Sequence, residues 1–328
     1  MASSSDFFEI FVTKPNAATG VPFARYMELA MYHPTAGYYT RNFKRVGRDA
    51  KADFFTATTF SPVFGELVVA ATVKLLTPAQ PQDYTFVEVA AEPGAGILRD
   101  VPHPFAQYQT ISYGQPFIFP PQSVVFSNEL FDAQPFCRVV WREGRWRELG
   151  VALQGRHLRE VELPGFSAEL APYVERLPKS AEENYHIDLP IRTVPMLERL
   201  VAPKWSGLFL AFDYGKFWAE LAEHTPAGTG RTYYRQKMGS DLLNRPGKQD
   251  ITCHICWDWL EDGLVRAGFG EARVDSQESF FMNQAAQTLA AITKAEASSF
   301  SPRKRMLMQL LHPANMGQKF QALHALRK

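Results

Sequence analysis

The residues of this chain that could do chemistry fall in a few short polar segments. Glu92-Pro93-Gly94-Ala95-Gly96 follows the apolar run Tyr84–Ala90. Glycines after a strand let a ligand approach the backbone, and a helix opening behind them offers N–H groups to an anion. The same composition also makes an ordinary Pro-Gly turn. The dinucleotide fingerprint requires a third glycine three residues after Gly96, where Arg99 stands, and a Walker lysine is absent.

Asn128, Glu129 and Asp132 follow a second apolar run, Ser123–Phe126. Two carboxylates and an amide at the end of a buried strand are costly unless paired or wet. Such a group suits a cationic or polar substrate and can accept its proton. The plainer alternative is a helix N-cap by Asn128 with acids in the first turn. Asp213 closes a third apolar run, Gly207–Phe212, where an aspartate can also be a simple turn former. Asp250, Thr252 and His254 form a polar trio threaded through Cys253 and Cys256. That C-x-x-C has no second cysteine pair to complete a structural zinc site, and none of the eight histidines has H-E-x-x-H spacing, so no metal is expected. Arg303-Lys304-Arg305 reads as a solvated helix face.

These segments need elements to hold them. Phe23, Tyr26, Met27, Ala30 and Met31 recur on one helical face, opened by Pro22 and stopped by Pro34. A second helix is expected from Ser61-Pro62, burying Phe64, Leu67, Val68, Ala71 and Leu75. Phe136–Trp141 and Trp146–Leu153 flank Arg142-Glu-Gly-Arg145 as a hairpin. Helices are expected near Ser167–Arg176, Val194–Val201 and Trp257–Arg266, with Gly268 as a stop, and from about Phe280 to the end, broken at Pro302 and Pro313. Strands ending in polar loops and interleaved with helices predict an α/β fold with a parallel sheet, which binds ligands outside the carboxyl ends of its strands.

Composition narrows the function. With 46% hydrophobic and 21% charged residues the chain can bury a core. Lys and Arg total 35 against 34 Asp and Glu, a balance that disfavours a general nucleic-acid binder. The three cysteines do not make a disulfide framework. The N-terminus lacks a basic region followed by an apolar core, and the apolar runs are far below the ~18–20 residues of a membrane span, so a cytoplasmic protein without membrane insertion is expected.

In order along most of the chain, these pieces resemble the MidA family of class I S-adenosylmethionine-dependent methyltransferases. Phe23–Pro34 with Gly37-Tyr-Tyr39 is similar to the family's opening, and Asp53-Phe-Phe-Thr56 with Ser61–Gly65 to its second signature. Ser127–Pro135 is close to N-E-[FL]-F-D-A-[LQ]-P. Gly230–Arg235, Pro246-Gly247 with Asp250-Ile-Thr252 and His254, and Leu311-His-Pro313 with Met316-Gly317 complete the set. The resemblance implies a Rossmann-like sheet with three consecutive segments: an N-terminal helical lobe over 1–80, a core with an inserted hairpin over 81–275, and a helical C-terminal segment over 276–328. It implies S-adenosylmethionine bound by Asp53, Phe54, Thr56, Glu88, Glu92, Gly94, Gly96 and Asn128. Asn128, Glu129, Asp132, Asp213 and His254 would serve the acceptor, an arginine side chain on a protein partner. A homodimer is compatible with this reading.

The chain departs from the family at identifiable places. Glu92 stands for the first glycine of E-x-G-P-G-x-G, and Ala90 for its glutamate. The stretch 97–127 is short and proline-broken, with Pro102, Pro104, Pro116, Pro120 and Pro121, and no acid lies between Asp100 and Glu129 to take a ribose. Cys256 replaces an Asp or Asn. Two readings follow. One is an active methyltransferase that holds its cofactor differently, with Glu88 or Glu92 near the ribose or amino group. The other is a degenerate relative that binds a protein or small ligand without methyl transfer.

Overall fold

The computed structural model describes residues 6–40, 62–92, 94–297 and 301–328. The chain divides into two compact units, each assembled from three stretches: Met1–Phe54, Phe131–Pro195 and Lys216–Asp258 in one, and Phe55–Leu130, Met196–Gly215 and Trp259–Lys328 in the other. Both units draw on stretches far apart in the chain.

The second unit is built on a six-stranded sheet. Its strands, in chain order, are β1 (Thr85–Val89), β2 (Gln107–Ile111), β3 (Gln122–Asn128), β4 (Ser206–Asp213), β5 (Arg273–Ser276) and β6 (Gln321–Arg327). Their spatial order is β5-β6-β4-β3-β1-β2. β1 pairs in parallel with both β2 and β3, and β3 in parallel with β4. β6 runs antiparallel between β4 and β5. The chain thus leaves β1 toward one edge and returns to β3 on the other side, which creates a topological switch point between β1 and β3.

Strand alternation sends Phe86 and Glu88 of β1, Val124, Phe126 and Asn128 of β3, and Leu208, Leu210 and Phe212 of β4 to one face. That face carries an aromatic core: the Phe126 ring lies 5.4 Å from Phe86 and 6.1 Å from Phe212, and Phe64 of the helix Val63–Leu76 lies 5.4 Å from Phe212. Phe281, from the helix Gln277–Gln284, stacks on Phe212 at 5.3 Å. Arg303 is partly exposed, and its guanidinium makes a two-pronged contact with Glu66 of the helix Val63–Leu76.

One expectation fails in this unit. The C-terminal segment is not helical to its end, because its last element is β6, with seven register pairs to β4 and four to β5. Gln-Ala-Leu-His-Ala-Leu is made of good helix formers, but an interior strand satisfies its backbone on both sides and tertiary pairing overrides the propensity. The proline-broken stretch after Gly96 forms turns rather than a helix, in keeping with its prolines, and also supplies the second strand, β2.

The first unit holds the expected hairpin, Cys137–Arg142 with Arg145–Gln154, turned by Glu143 and Gly144 in left-handed conformations. The strands His186–Leu189, His157–Glu162 and Val21–Pro22 extend that antiparallel sheet. The helix Phe23–Tyr32 buries its predicted face, with Phe23 5.0 Å from Phe136. The expected helix near Ser167–Arg176 is only a 3-10 turn over Ala171–Arg176. A second, three-stranded sheet contains Arg231–Tyr234 between Lys237–Gly239 and Asp250–Thr252.

Truncating a buried interior-strand leucine leaves a cavity, so Leu323→Ala should cost about 2–5 kcal/mol by urea unfolding. Leu326→Ala, on a residue 42% exposed in the same strand, should cost less than about 1 kcal/mol. Equal losses would contradict the placement of β6.

Candidate functional site

The carboxyl ends of β1, β3 and β4 form one rim of the sheet, and all three predicted strand-end loops of that unit emerge there. The residues that directly follow β1 and β3 are Ala90 and Glu129, with φ values of 63° and 54°. Neither is glycine, so each holds a left-handed conformation at a cost of order 1–3 kcal/mol. Strain of this kind on both sides of a switch point makes the crevice the candidate ligand site.

Beyond Ala90 the backbone opens. Gly94 has a φ of 74° and nothing within 4 Å of the position a Cβ would take. Gly96, at φ 150°, has the Tyr108 hydroxyl pressed against that position, so no side chain fits. The Arg99 guanidinium donates to the Gly94 carbonyl. Glu88 is buried beneath this loop and accepts from the Ile97 N–H at 2.8 Å and from the Tyr108 hydroxyl. Burial pushes its carboxyl above the usual carboxylate range, while these two donors pull the other way. Glu88 therefore fixes the loop from below. Glu92 is half-buried at the start of the loop.

At the end of β3, the Asn128 amide donates to the Glu129 carboxylate at 2.9 Å, and the Glu129 N–H is anchored on the Phe212 carbonyl at 2.9 Å. No helix follows, so the N-cap reading of Asn128 is excluded. The Ser127 hydroxyl and the Asn128 Oδ1 are buried with no hydrogen-bond partner among the described residues. Both atoms need a partner that the described residues do not supply. Asp213 is buried at the end of β4, and its carboxylate accepts from the Tyr214 N–H at 2.9 Å. After β2 the chain continues Ser112-Tyr113-Gly114, without an acid.

The remaining predicted residues belong to the other unit. Asp132 is buried there, its carbonyl accepting from the Cys253 N–H at 3.1 Å. Asp250 is buried and accepts from the Tyr39 hydroxyl at 3.1 Å. Tyr39 stacks on Tyr32 at 5.4 Å, and burial together with the charges of Asp250 and Asp132 keeps its hydroxyl protonated. The His254 N–H donates to the Thr229 hydroxyl at 3.2 Å. Burial, then the charges of Arg231 and Lys216, lower the His254 imidazole to about 4. It is neutral at pH 7 and can accept a proton or hydrogen bond rather than act as a charged partner. The cysteines are buried, and no cluster with metal-site geometry exists among the described residues. Asp53, Phe54 and Thr56 lie outside the described residues.

Two contacts went unmarked in the sequence. Tyr108 sits in a polar strand whose pattern gives no hint of its partner. Tyr39 stands in a Gly-Tyr-Tyr loop that shows aromatic content but not its contact with Asp250.

Replacing Tyr108 with Phe removes a donor that holds the Glu88 carboxylate down. Tyr108→Phe should therefore raise the Glu88 titration midpoint, read from its 13C carboxyl resonance; an unchanged midpoint would refute this pairing. For His254 the folded value lies below the unfolded one, so unfolding takes up a proton. This contribution to stability is whole above the ordinary histidine range, about pH 6.5, and is lost as pH falls toward about 4. Its imidazole NMR signals should stay neutral from pH 8 down to about pH 5.

Comparisons with known proteins fit this geometry. Residues 98–270 match a family model described as "putative S-adenosyl-L-methionine-dependent methyltransferase". The mitochondrial protein arginine methyltransferase NDUFAF7 of Danio rerio is 23% identical, over 93% of this chain and 83% of its own length. The Drosophila melanogaster homologue is 24% identical, over 92% and 80%. A crystal structure from Burkholderia thailandensis, described as a "likely methyl transferase" bound to S-adenosyl-homocysteine, superposes with a TM-score of 0.80 at 26% identity, over 94% of this chain and 88% of that one.

Proposed function

Because the chain belongs to this family of S-adenosyl-L-methionine-dependent methyltransferases, we propose that it transfers a methyl group from S-adenosylmethionine to an arginine side chain of a protein. The observation that carries the proposal is the left-handed Glu129 directly after β3, with the Asn128 amide on its carboxylate, at the switch point of the sheet.

The residues present fit the cofactor on the β1 and β3 side of the rim. Gly94 leaves its backbone open to a close approach, and the orphaned Ser127 hydroxyl and Asn128 carbonyl oxygen await polar partners. Glu88, Gly94, Gly96 and Asn128 would hold it, with Glu92 at the loop entrance. Bound there, S-adenosylmethionine supplies an electrophilic methyl group on a sulfonium sulfur. Transfer to nitrogen breaks a carbon–sulfur bond and forms a carbon–nitrogen bond in line, so the protein must align the acceptor and take its proton.

Carboxylates suit both tasks for a guanidinium, because they bind it through paired hydrogen bonds and oppose its charge. Glu129 has that role at the rim, with Asp213 on the neighbouring strand. The names of the Danio and Drosophila relatives support arginine as the acceptor and a protein as the substrate. A cytoplasmic setting is part of the proposal, and three cysteines that form no disulfide suit it.

The end of β2, where no acid follows, favours a second reading: a protein that binds at this rim without methyl transfer. Calorimetry separates the two. Under the first, S-adenosyl-homocysteine binds and, at about 100 times its dissociation constant, stabilises the protein by about 2.7 kcal/mol. Glu129→Gln should then lower turnover by about 100-fold or more, with a change in unfolding free energy below about 0.5 kcal/mol. The absence of any binding heat would leave only the second reading. Equal loss of fold and activity in Glu129→Gln would make Glu129 structural.

A further inference from the structure

The hairpin Arg231–Tyr234 with Lys237–Gly239 takes no part in the chemistry above, although the sequence singles it out. Between Arg231 and Lys248 the chain carries Arg231, Arg235, Lys237, Arg245 and Lys248 against the single acid Asp241, in a protein whose net charge is +1. Positive charge is therefore concentrated here.

Three further observations converge on this hairpin. Its two-residue turn, Arg235-Gln236, has φ values of 49° and 64°, and Arg245 has 46°. Asparagine and glycine adopt such turn conformations cheaply, whereas here long polar and basic residues hold them at a cost. The Arg245 guanidinium lies 4.3 Å from the Tyr234 ring centroid and that of Arg235 lies 5.2 Å from it, so one aromatic ring orients two cations. Finally, Lys237–Gly239 is the edge of its three-stranded sheet and is exposed throughout, with Met238 65% exposed. A lysine on a short edge is ordinary protection against self-pairing. An exposed methionine beside it works against that protection.

We propose that this edge is a docking surface for an extended, acidic protein segment. Such a segment adds, through main-chain hydrogen bonds, to an edge that no other described strand pairs. Its carboxylates meet Lys237 and Arg245, and an apolar side chain covers Met238. An acidic peptide fits better than a nucleic acid, because an edge strand reads a peptide backbone and the rest of the chain adds no excess positive charge. The surface is independent of the methyl-transfer reading, and the experiment below reads no methyl transfer, so the two can fail separately.

The test is fluorescence anisotropy on the full chain with three labelled probes: an extended peptide rich in Glu and Asp with one central Leu, its Lys-rich counterpart, and single-stranded oligouridylate of equal charge. The acidic peptide should bind, the Lys-rich one should not, and affinity should weaken between about 50 and about 300 mM salt. The double variant Lys237→Glu, Arg245→Glu should lose at least about tenfold in affinity, and Met238→Ala a smaller factor. Lys237→Glu alone touches no ring contact and serves if the double variant does not fold, which its melting temperature reports; it should lose about threefold or more. Failure of the wild type to bind the acidic peptide overturns the proposal, as does unchanged affinity in a folded charge-reversed variant. Tighter binding of the oligouridylate overturns it in favour of a phosphate ligand.

Discussion

Parallel strands can pair only if the chain returns to the same end of the sheet each time. In this protein β1, β3 and β4 obey that constraint side by side. Their hydrogen-bonded register sets Val89 opposite Ser127, and Asn128 opposite Phe212. The ends of three separate sequence segments are thereby held on one rim. The aromatic core of Phe64, Phe86, Phe126, Phe212 and Phe281 locks that register, because a slip by one residue would turn each strand's phenylalanine away from the others.

Once the rim is fixed, its polar groups are supported from beneath. Glu88 shares a face with Phe86 and is buried at the top of the aromatic stack, where a charge is tolerated only because Ile97 and Tyr108 donate to it. The same carboxylate ties down the chain beyond Gly96, so the opening of the loop at Gly94 is set by a residue deep in the sheet. Glu129 is held in a left-handed conformation by the bond from its N–H to Phe212. The strain at Ala90 and Glu129 is thus sustained by the regular structure on either side, and both residues stand where a sheet of this topology receives its ligand.

The first unit meets a similar problem in the same way. Asp188 is buried in an antiparallel sheet and accepts from the Thr229 and Gly230 N–H groups at 2.7 Å each, with Arg138 3.3 Å away. These bonds order the chain that leads into the hairpin at Arg231 and, through Thr229, the backbone of His254. A buried carboxylate organises a loop in each unit, which is an economical way to satisfy backbone N–H groups that regular structure leaves unpaired.

Much of this was legible in the residues themselves. The helical face from Phe23 to Met31, the hairpin around Glu143-Gly144, and the apolar strands that end at Asn128 and Asp213 follow from periodicity and turn chemistry, which are local properties. The polar character of the strand ends was equally plain, because Glu129 and Asp213 cannot be core residues without a reason. Other features could not be read locally. Residues 321–327 look helical and are a strand because two neighbours satisfy their backbone. Residues 107–111 are too polar to announce a strand, and β1 recruits them. The partnership of Tyr108 with Glu88 spans twenty positions that no pattern links. The sequence by itself determined which residues are available for chemistry and the class of sheet that carries them, because composition and periodicity act over a few neighbours. Tertiary structure alone decided which strand ends share a rim, which residues bear strain there and which carboxylate supports the loop, because those depend on hydrogen bonds and burial between segments far apart in the chain.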